Sequence, residues 1–196
     1  MSQFVAFRAT LVKKRFEELH VKRRVPIFRQ TFGFRYVLGS QYGMKNDAHT
    51  LQNARRSLWA AVLVGVGVMA ALDEIVFHQL LQWHHFFDFS TPAFGILSDG
   101  LLHAFELLAV VVGVSLLLDL SQRGWLCVAW AKAGFFLGMG SFQLFDGIIN
   151  HKILRLHQIR YGVDPLMYDL TWNAFAIGFL LIGFWLLRRA RSGSRR

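Results

Sequence analysis

Four apolar stretches separated by short polar connections dominate the chain after its first 56 residues. They cover residues 57–72, 100–118, 125–149 and 170–187. Each is close to the roughly 20 residues that an α-helix needs to cross a hydrocarbon core about 30 Å thick. The pattern therefore predicts an all-α integral membrane protein that folds as a four-helix bundle.

The first and third stretches share a sequence pattern, and so do the second and fourth. Residues 73–84 read DEIVFHQLLQWH and residues 146–157 read DGIINHKILRLH, so Asp, Ile, His, Leu and a second His coincide at an offset of 73. Residues 99–105 (DGLLHAF) and 169–175 (DLTWNAF) coincide in Asp, Ala and Phe at an offset of 70. Two matches at nearly one offset predict two repeated two-span hairpins, related by an axis along the membrane normal.

Charge is concentrated outside these stretches. Residues 1–56 hold 12 of the 22 Lys and Arg residues and three acids, so this segment carries +9 of the net +10. Basic chains often bind nucleic acid, but cations that flank an apolar span are explained by positive-inside anchoring. We therefore expect contact with the lipid bilayer, no nucleic-acid partner, and both termini in the cytoplasm. The single cysteine, Cys127, excludes a disulfide scaffold.

The predicted organisation has four parts. A basic cytoplasmic tail covers residues 1–56, the first hairpin 57–120, the second hairpin 121–190, and a basic C-terminal tail 191–196. Apolar residues from Phe4 to Leu19 recur at nearly helical spacing with cations between them. This spacing indicates an amphipathic helix, which lies either on the anionic membrane surface or against a partner subunit.

Polar residues collect at one level of all four stretches, in the predicted outer half of the membrane. At 1.5 Å per residue, Asp73, His103, Glu106 and Asn173 lie about 18 to 24 Å from the cytoplasmic ends of their spans. A lone carboxylate at such a depth costs roughly 2.5 to 3.5 kcal/mol. We therefore expect these groups to face inward and to be paired, hydrated or bound to metal.

This polar belt supplies the candidate metal ligands, because imidazole together with carboxylate suits copper, iron or zinc. Asp99, His103 and Glu106 share one helix face, which makes His103 the strongest single candidate. The predicted ligands are Asp73, His78, His103, Glu106, Asp146 and His151. The residues predicted to orient them, or to collect metal at the entrance, are Glu74, His84, His85, Asp99, Asn150, His157, Asp169 and Asn173.

Helix geometry limits which residues can share one metal. Asp73 and His78 lie about 140° apart around a regular helix, so one ion would not ordinarily bind both. Asp73 and His84 agree in angle but lie about 16 Å apart along an unbroken helix. Either the helix breaks near His78, or His84 and His157 form an outer entrance layer.

Three functions remain open at this level. The first is an outward-facing transition-metal site, used for metal delivery to a respiratory or oxygenase complex or for chemistry beside it. The second is a metal-dependent membrane enzyme, a hydrolase or an oxidase, so whether the chain is an enzyme is undecided. The third is a non-catalytic accessory subunit whose belt is structural or handles protons. Another membrane protein or complex is the expected partner.

The motifs DEIVFHQLLQWHH, SDGLLHAF, QLFDGIINHKILRLHQIR and YDLTWN, together with the four spans, resemble a bacterial family of small inner-membrane proteins. That family is catalogued only as a domain of unknown function, and the resemblance covers about residues 57–188. It implies a location in the bacterial inner membrane. It also implies a metal or redox context, because members are associated with respiratory or copper-related proteins such as cytochrome oxidase assembly factors.

Overall fold

The computed structural model describes residues 34–193, with side chains from residue 48 onward, and this range contains helices and no strand. The all-α prediction is therefore confirmed for the described part of the chain. The amphipathic helix predicted near Phe4 to Leu19 lies outside it. The elements are α1 (Phe34–Asp73), a first π-helix (Glu74–Leu80), α2 (Pro92–Gln122), α3 (Val128–Phe145), a second π-helix (Asp146–Ile153) and α4 (Leu166–Gly193).

The chain divides into two compact units, Met1–Gly43 and Met44–Arg196, and everything described below belongs to the second unit. Helix α1 runs through residue 56, where the sequence predicts the end of the tail. Three segments are long and apolar enough to cross a membrane, namely Ala48–Leu80, Pro92–Gln122 and Leu166–Gly193. The third predicted span contains α3, which has 18 residues and is not among these three.

Glycines let α1 and α3 approach until their backbones touch. A Cβ atom added at Gly134 or Gly138 would lie 2.2 Å from the carbonyl oxygen of Leu58 or Val62, respectively. On the opposite helix, a Cβ at Gly65 would lie 2.1 Å from Phe135 O. Small residues at such crossings are typical of packing between membrane helices, where close contact replaces the hydrophobic effect.

The two π-helices lie at equivalent places in the chain. Each is followed by a residue with a positive φ, Gln82 at 50° and Arg155 at 53°, again 73 positions apart. Because π-helical bonding joins residues five apart, it brings Asp73 and His78 closer in angle than a regular helix does. The helix ends at Leu80, so the first of the two alternatives, a break near His78, is the one observed.

The segments after the π-helices fold towards each other. The backbone N–H of Asp88 donates to the carbonyl oxygen of Leu156 at 3.1 Å. This bond joins the first loop, residues 81–91, to the third loop, residues 154–165. The guanidinium of Arg160 lies over the rings of Trp83 and Tyr168, at 4.9 and 5.5 Å from the ring centroids. These contacts bring His84 and His157, one on each loop, to the ends of the helices.

Candidate metal centre

Four buried imidazoles cluster where the π-helices meet the two loops. Successive ring centroids from His78 to His84, His157 and His151 are 4.5, 4.4 and 4.7 Å apart. All four residues are at least nine-tenths buried. Residues separated by up to 79 positions in the chain are thus packed around one small volume.

The orientation of the two central rings is set by main-chain carbonyls. His84 Nδ1 is 2.9 Å from Ile159 O, and His157 Nδ1 is 2.9 Å from Phe86 O. A carbonyl only accepts hydrogen bonds, so each Nδ1 carries the proton and each Nε2 keeps a free lone pair. Both Nε2 atoms are buried and have no hydrogen-bond partner in the described part of the chain.

Burial keeps these two loop imidazoles neutral. Desolvation lowers the pKa of His157 to about 4, although the nearby Asp146 carboxylate opposes this effect. The pKa of His84 is lowered further, first by desolvation and then by the neighbouring imidazoles of His157 and His78. Neutral imidazole is the form that binds a metal ion, so no proton has to be displaced from Nε2 at neutral pH.

His78 is held by carboxylates instead of carbonyls. Its Nδ1 lies 3.0 Å from Asp99 Oδ1 and 2.9 Å from Glu74 Oε2. Asp99 Oδ1 also accepts the backbone N–H of Phe86, and its Oδ2 lies 2.6 Å from His85 Nδ1. The Nε2 atom of His78 is buried and has no hydrogen-bond partner among the residues that the structure describes. A carboxylate behind a histidine, with the other nitrogen free, is the usual support for a metal-bound imidazole.

Two aspartates complete the cluster. His151 Nε2 lies 3.1 Å from Asp146 Oδ2, and neither atom has a hydrogen-bond partner. His157 Nε2 lies 3.8 Å from Asp146 Oδ1, and His78 Nε2 lies 3.9 Å from Asp73 Oδ2. Two ligands about 2.1 Å from one ion are separated by roughly 3 to 3.5 Å. The spacing between His151 and Asp146 lies in this range, and the other two spacings are longer.

Three groups of side chains in this region lie close enough together that each could hold a metal ion. Potential ligand atoms lie within 4.8 Å of one another in three groups: His78–His84–His157, Asp146–His151–His157 and Glu74–His78–Asp99. An unpaired polar atom in such a place costs about 1 to 3 kcal/mol. A cation coordinated by nitrogen and oxygen would satisfy several of these atoms at once.

The structure brings four of the six predicted ligands together, leaves Glu106 within electrostatic reach of them, and exposes His103. All four are buried in or beside the imidazole cluster, namely Asp73, His78, Asp146 and His151. His103 is 58% exposed and pairs with Glu106, Nδ1 to Oε1 at 2.5 Å. Glu106 is buried and interacts electrostatically with Glu74 and His78, but neither it nor His103 belongs to a group of potential ligands among the described residues.

The residues predicted to orient ligands or to collect metal are distributed differently from the expectation. His84 and His157 were expected at the entrance, but they are buried within the imidazole cluster and stack on each other. His85 has a side chain 37% exposed and contacts Asp99. The other contacts are Gln79 to Glu74, Asn150 to Asp146 Oδ1, Lys152 to Asp169 Oδ2, and Asn173 to its own helix at Asp169 O.

Three further residues support the site although the sequence did not predict their part in it. The carbonyls of Phe86 and Ile159 orient the central rings, and no letter in a sequence marks a main-chain acceptor. Ser98 accepts the N–H of Phe87 and donates to Gly95 O, which ties the first loop to α2. Its position next to Asp99 in the SDGLLHAF motif was the available signal.

Long apolar helices with a buried histidine and carboxylate cluster define a helical membrane protein with a polar centre near one end. The chain belongs to the family described as "Predicted membrane protein (DUF2243)", and the match covers residues 60–190. This confirms the resemblance to a membrane family of unknown function. No curated protein and no solved structure matches the chain.

Proposed function

We propose that the protein binds a transition metal ion within the membrane. The ligands are the Nε2 atoms of the four buried histidines and the carboxylates of Asp73 and Asp146. The observation that carries the proposal is the pair His84 and His157, whose Nε2 lone pairs are buried and unpartnered while a carbonyl holds each Nδ1. Copper, iron and zinc all accept this mixture of ligands.

The proposed setting is the bacterial inner membrane, with the chain crossing four times as two hairpins and both termini in the cytoplasm. Recurrence of the π-helix and of the positive φ at an offset of 73 supports the two-hairpin arrangement. The excess of Lys and Arg in the first 56 residues supports the orientation. The metal then serves delivery to a neighbouring respiratory or oxygenase complex, or chemistry beside it.

The experiment measures metal in the full-length protein, purified in detergent and loaded separately with copper, iron or zinc. After desalting, mass spectrometry of the wild type should give near-stoichiometric amounts of one metal. His157→Ala and Asp146→Asn should lose most of it, because each removes a ligand from the cluster. His103→Ala is the matched control, since it deletes an imidazole that is largely exposed, and it should keep the metal.

Two results would refute the proposal. One is a wild-type protein that stays metal-free after loading with all three ions. The other is equal loss of metal from His103→Ala and His157→Ala. Asp146→Asn preserves size and shape, so it reports on the site even where His157→Ala disturbs folding. A metal-free wild type would favour the accessory subunit, in which the same buried groups form a structural or proton-handling network.

A further inference from the structure

A second feature lies far from the candidate metal centre, near the other end of the helices. It is a cavity of about 1850 Å³ between residues 50–59 of α1, the start of α3 and the end of α4. Arg55 lines this cavity, and His78 belongs to the metal cluster. Because these two residues lie about 30 Å apart along α1 and the π-helix that continues it, the two sites are well separated. We call it the basic groove, after its cations Arg55, Lys132, Arg189 and Arg191.

No carboxylate in the described part of the chain neutralises the four cations. All of them are exposed, and among the described residues none forms an ion pair with a carboxylate. None of the described residues that line the groove is acidic. Aromatic rings hold two of the guanidiniums in place, since Arg189 lies 4.9 Å from the Trp185 ring and Arg191 lies 5.8 Å from the Trp130 ring. The groove therefore presents fixed positive charge to an anion.

Apolar surface adjoins this charge. Leu51, Trp59 and Val128 line the groove and are 45%, 67% and 54% exposed. A small inorganic anion would leave that surface uncovered, whereas an amphiphile would cover it and neutralise the cations together. Basic pockets between membrane helices on the cytoplasmic side are typical binding sites for anionic lipid headgroups.

The chain's own N-terminal segment is a poor occupant on charge alone. Residues 1–33 contain eight Lys and Arg against two Glu, so their net charge is 8 − 2 = +6. Like charges placed opposite each other repel, so this segment does not complement a groove that already carries four cations. A negatively charged ligand is required.

We propose that the basic groove binds an anionic phospholipid, with the phosphate between the cations and an acyl chain along Trp59 and Val128. The ligand chemistry is a phosphodiester without a compensating amine, as in phosphatidylglycerol. This site is independent of metal binding. Its occupant would contact α1, α3 and α4 at the end of the helices that is remote from the metal cluster.

The test uses the full-length protein in a neutral detergent, titrated with phosphatidylglycerol or phosphatidylcholine and analysed by native mass spectrometry. The wild type should retain phosphatidylglycerol at least tenfold more tightly than phosphatidylcholine. Arg55→Gln with Lys132→Gln should weaken retention by about fivefold per cation. Arg56→Gln with Arg123→Gln is the matched control: it removes two exposed cations that do not line the groove, and it should leave retention unchanged.

Three outcomes would overturn the proposal. The first is equal retention of the two lipids, which needs no variant and so does not depend on how the variants fold. The second is equal weakening by the groove pair and the control pair, which would mean that net charge alone attracts the lipid. The third is displacement of phosphatidylglycerol by millimolar inorganic phosphate, which would mean that the groove binds a free anion.

Discussion

The imidazoles of His84 and His157 stack with centroids 4.4 Å apart and planes within 6° of parallel. Each ring is oriented by the other ring's loop. His84 Nδ1 donates to Ile159 O, two residues after His157, and His157 Nδ1 donates to Phe86 O, two residues after His84. The exchange makes each loop the support of the opposite histidine, so both Nε2 atoms are oriented before any ligand binds.

Asp99 should control metal affinity without binding the metal in the proposed site. Its carboxylate holds His78 through one oxygen, and it anchors the first loop through the N–H of Phe86. We expect Asp99→Asn to lower affinity by about 10- to 100-fold, because the amide has one acceptor where the carboxylate has two. Competition with a coloured chelator measures this affinity.

The control for Asp99→Asn is Asp119→Asn, at the other end of the same helix. Asp119 is exposed and paired with Arg123, so its loss should leave metal affinity unchanged. A change of less than twofold in Asp99→Asn would show that His78 does not need this carboxylate.

Removal of the metal should lower the thermal stability of the wild type. A ligand at a thousand times its dissociation constant stabilises the folded state by about 4 kcal/mol. Addition of a strong chelator should therefore reduce the melting temperature of the metal-loaded protein, followed by intrinsic tryptophan fluorescence. His103→Ala should show the same reduction. The double variant His84→Ala with His157→Ala should show none, and an equal reduction in that variant would place the metal elsewhere.

The contact between α1 and α3 should not tolerate a methyl group. In Gly138→Ala the new Cβ would meet Val62 O at 2.2 Å, so the helices must separate or shift. Such overpacking costs about 1 to 3 kcal/mol, which should appear as a melting temperature several degrees lower.

Gly178→Ala, in α4, is the matched control for this packing prediction. Nothing lies within 4 Å of the position its Cβ would take, and alanine favours a helix more than glycine does. Its melting temperature should equal that of the wild type or exceed it. Similar losses in the two variants would mean that the close approach of α1 and α3 does not limit stability.

The proposed orientation predicts which residues an impermeant reagent reaches. Cys127 is the chain's single cysteine, and Val163 is 40% exposed in the third loop. In intact spheroplasts, a membrane-impermeant maleimide should label Val163→Cys on a Cys127→Ser background. Cys127 itself should react only after permeabilisation, and the Cys127→Ser protein is the unlabelled control. Labelling of Cys127 in intact cells would reverse the orientation.

Much of the chemistry could be read from local sequence. The apolar stretches predicted helices, because helix formation and membrane burial depend on residues close together in the chain. The offset of 73 identified His78 with His151 and Asp73 with Asp146, and both pairs are buried in the cluster. Depth along a helix, at 1.5 Å per residue, placed these polar groups at one level.

Only the tertiary structure decided which imidazoles converge. A regular helix places Asp73 and His78 on different faces. The π-helix brings them closer in angle, and it has no clear signature in the sequence. His103 shares a helix face with Asp99 and Glu106, yet its side chain is 58% exposed, because a shared face does not specify the angle at which α2 meets its neighbours. His84 and His157 reach the centre through hydrogen bonds that join positions more than 70 residues apart. Contacts at that separation depend on how the loops cross, and no local pattern encodes that crossing.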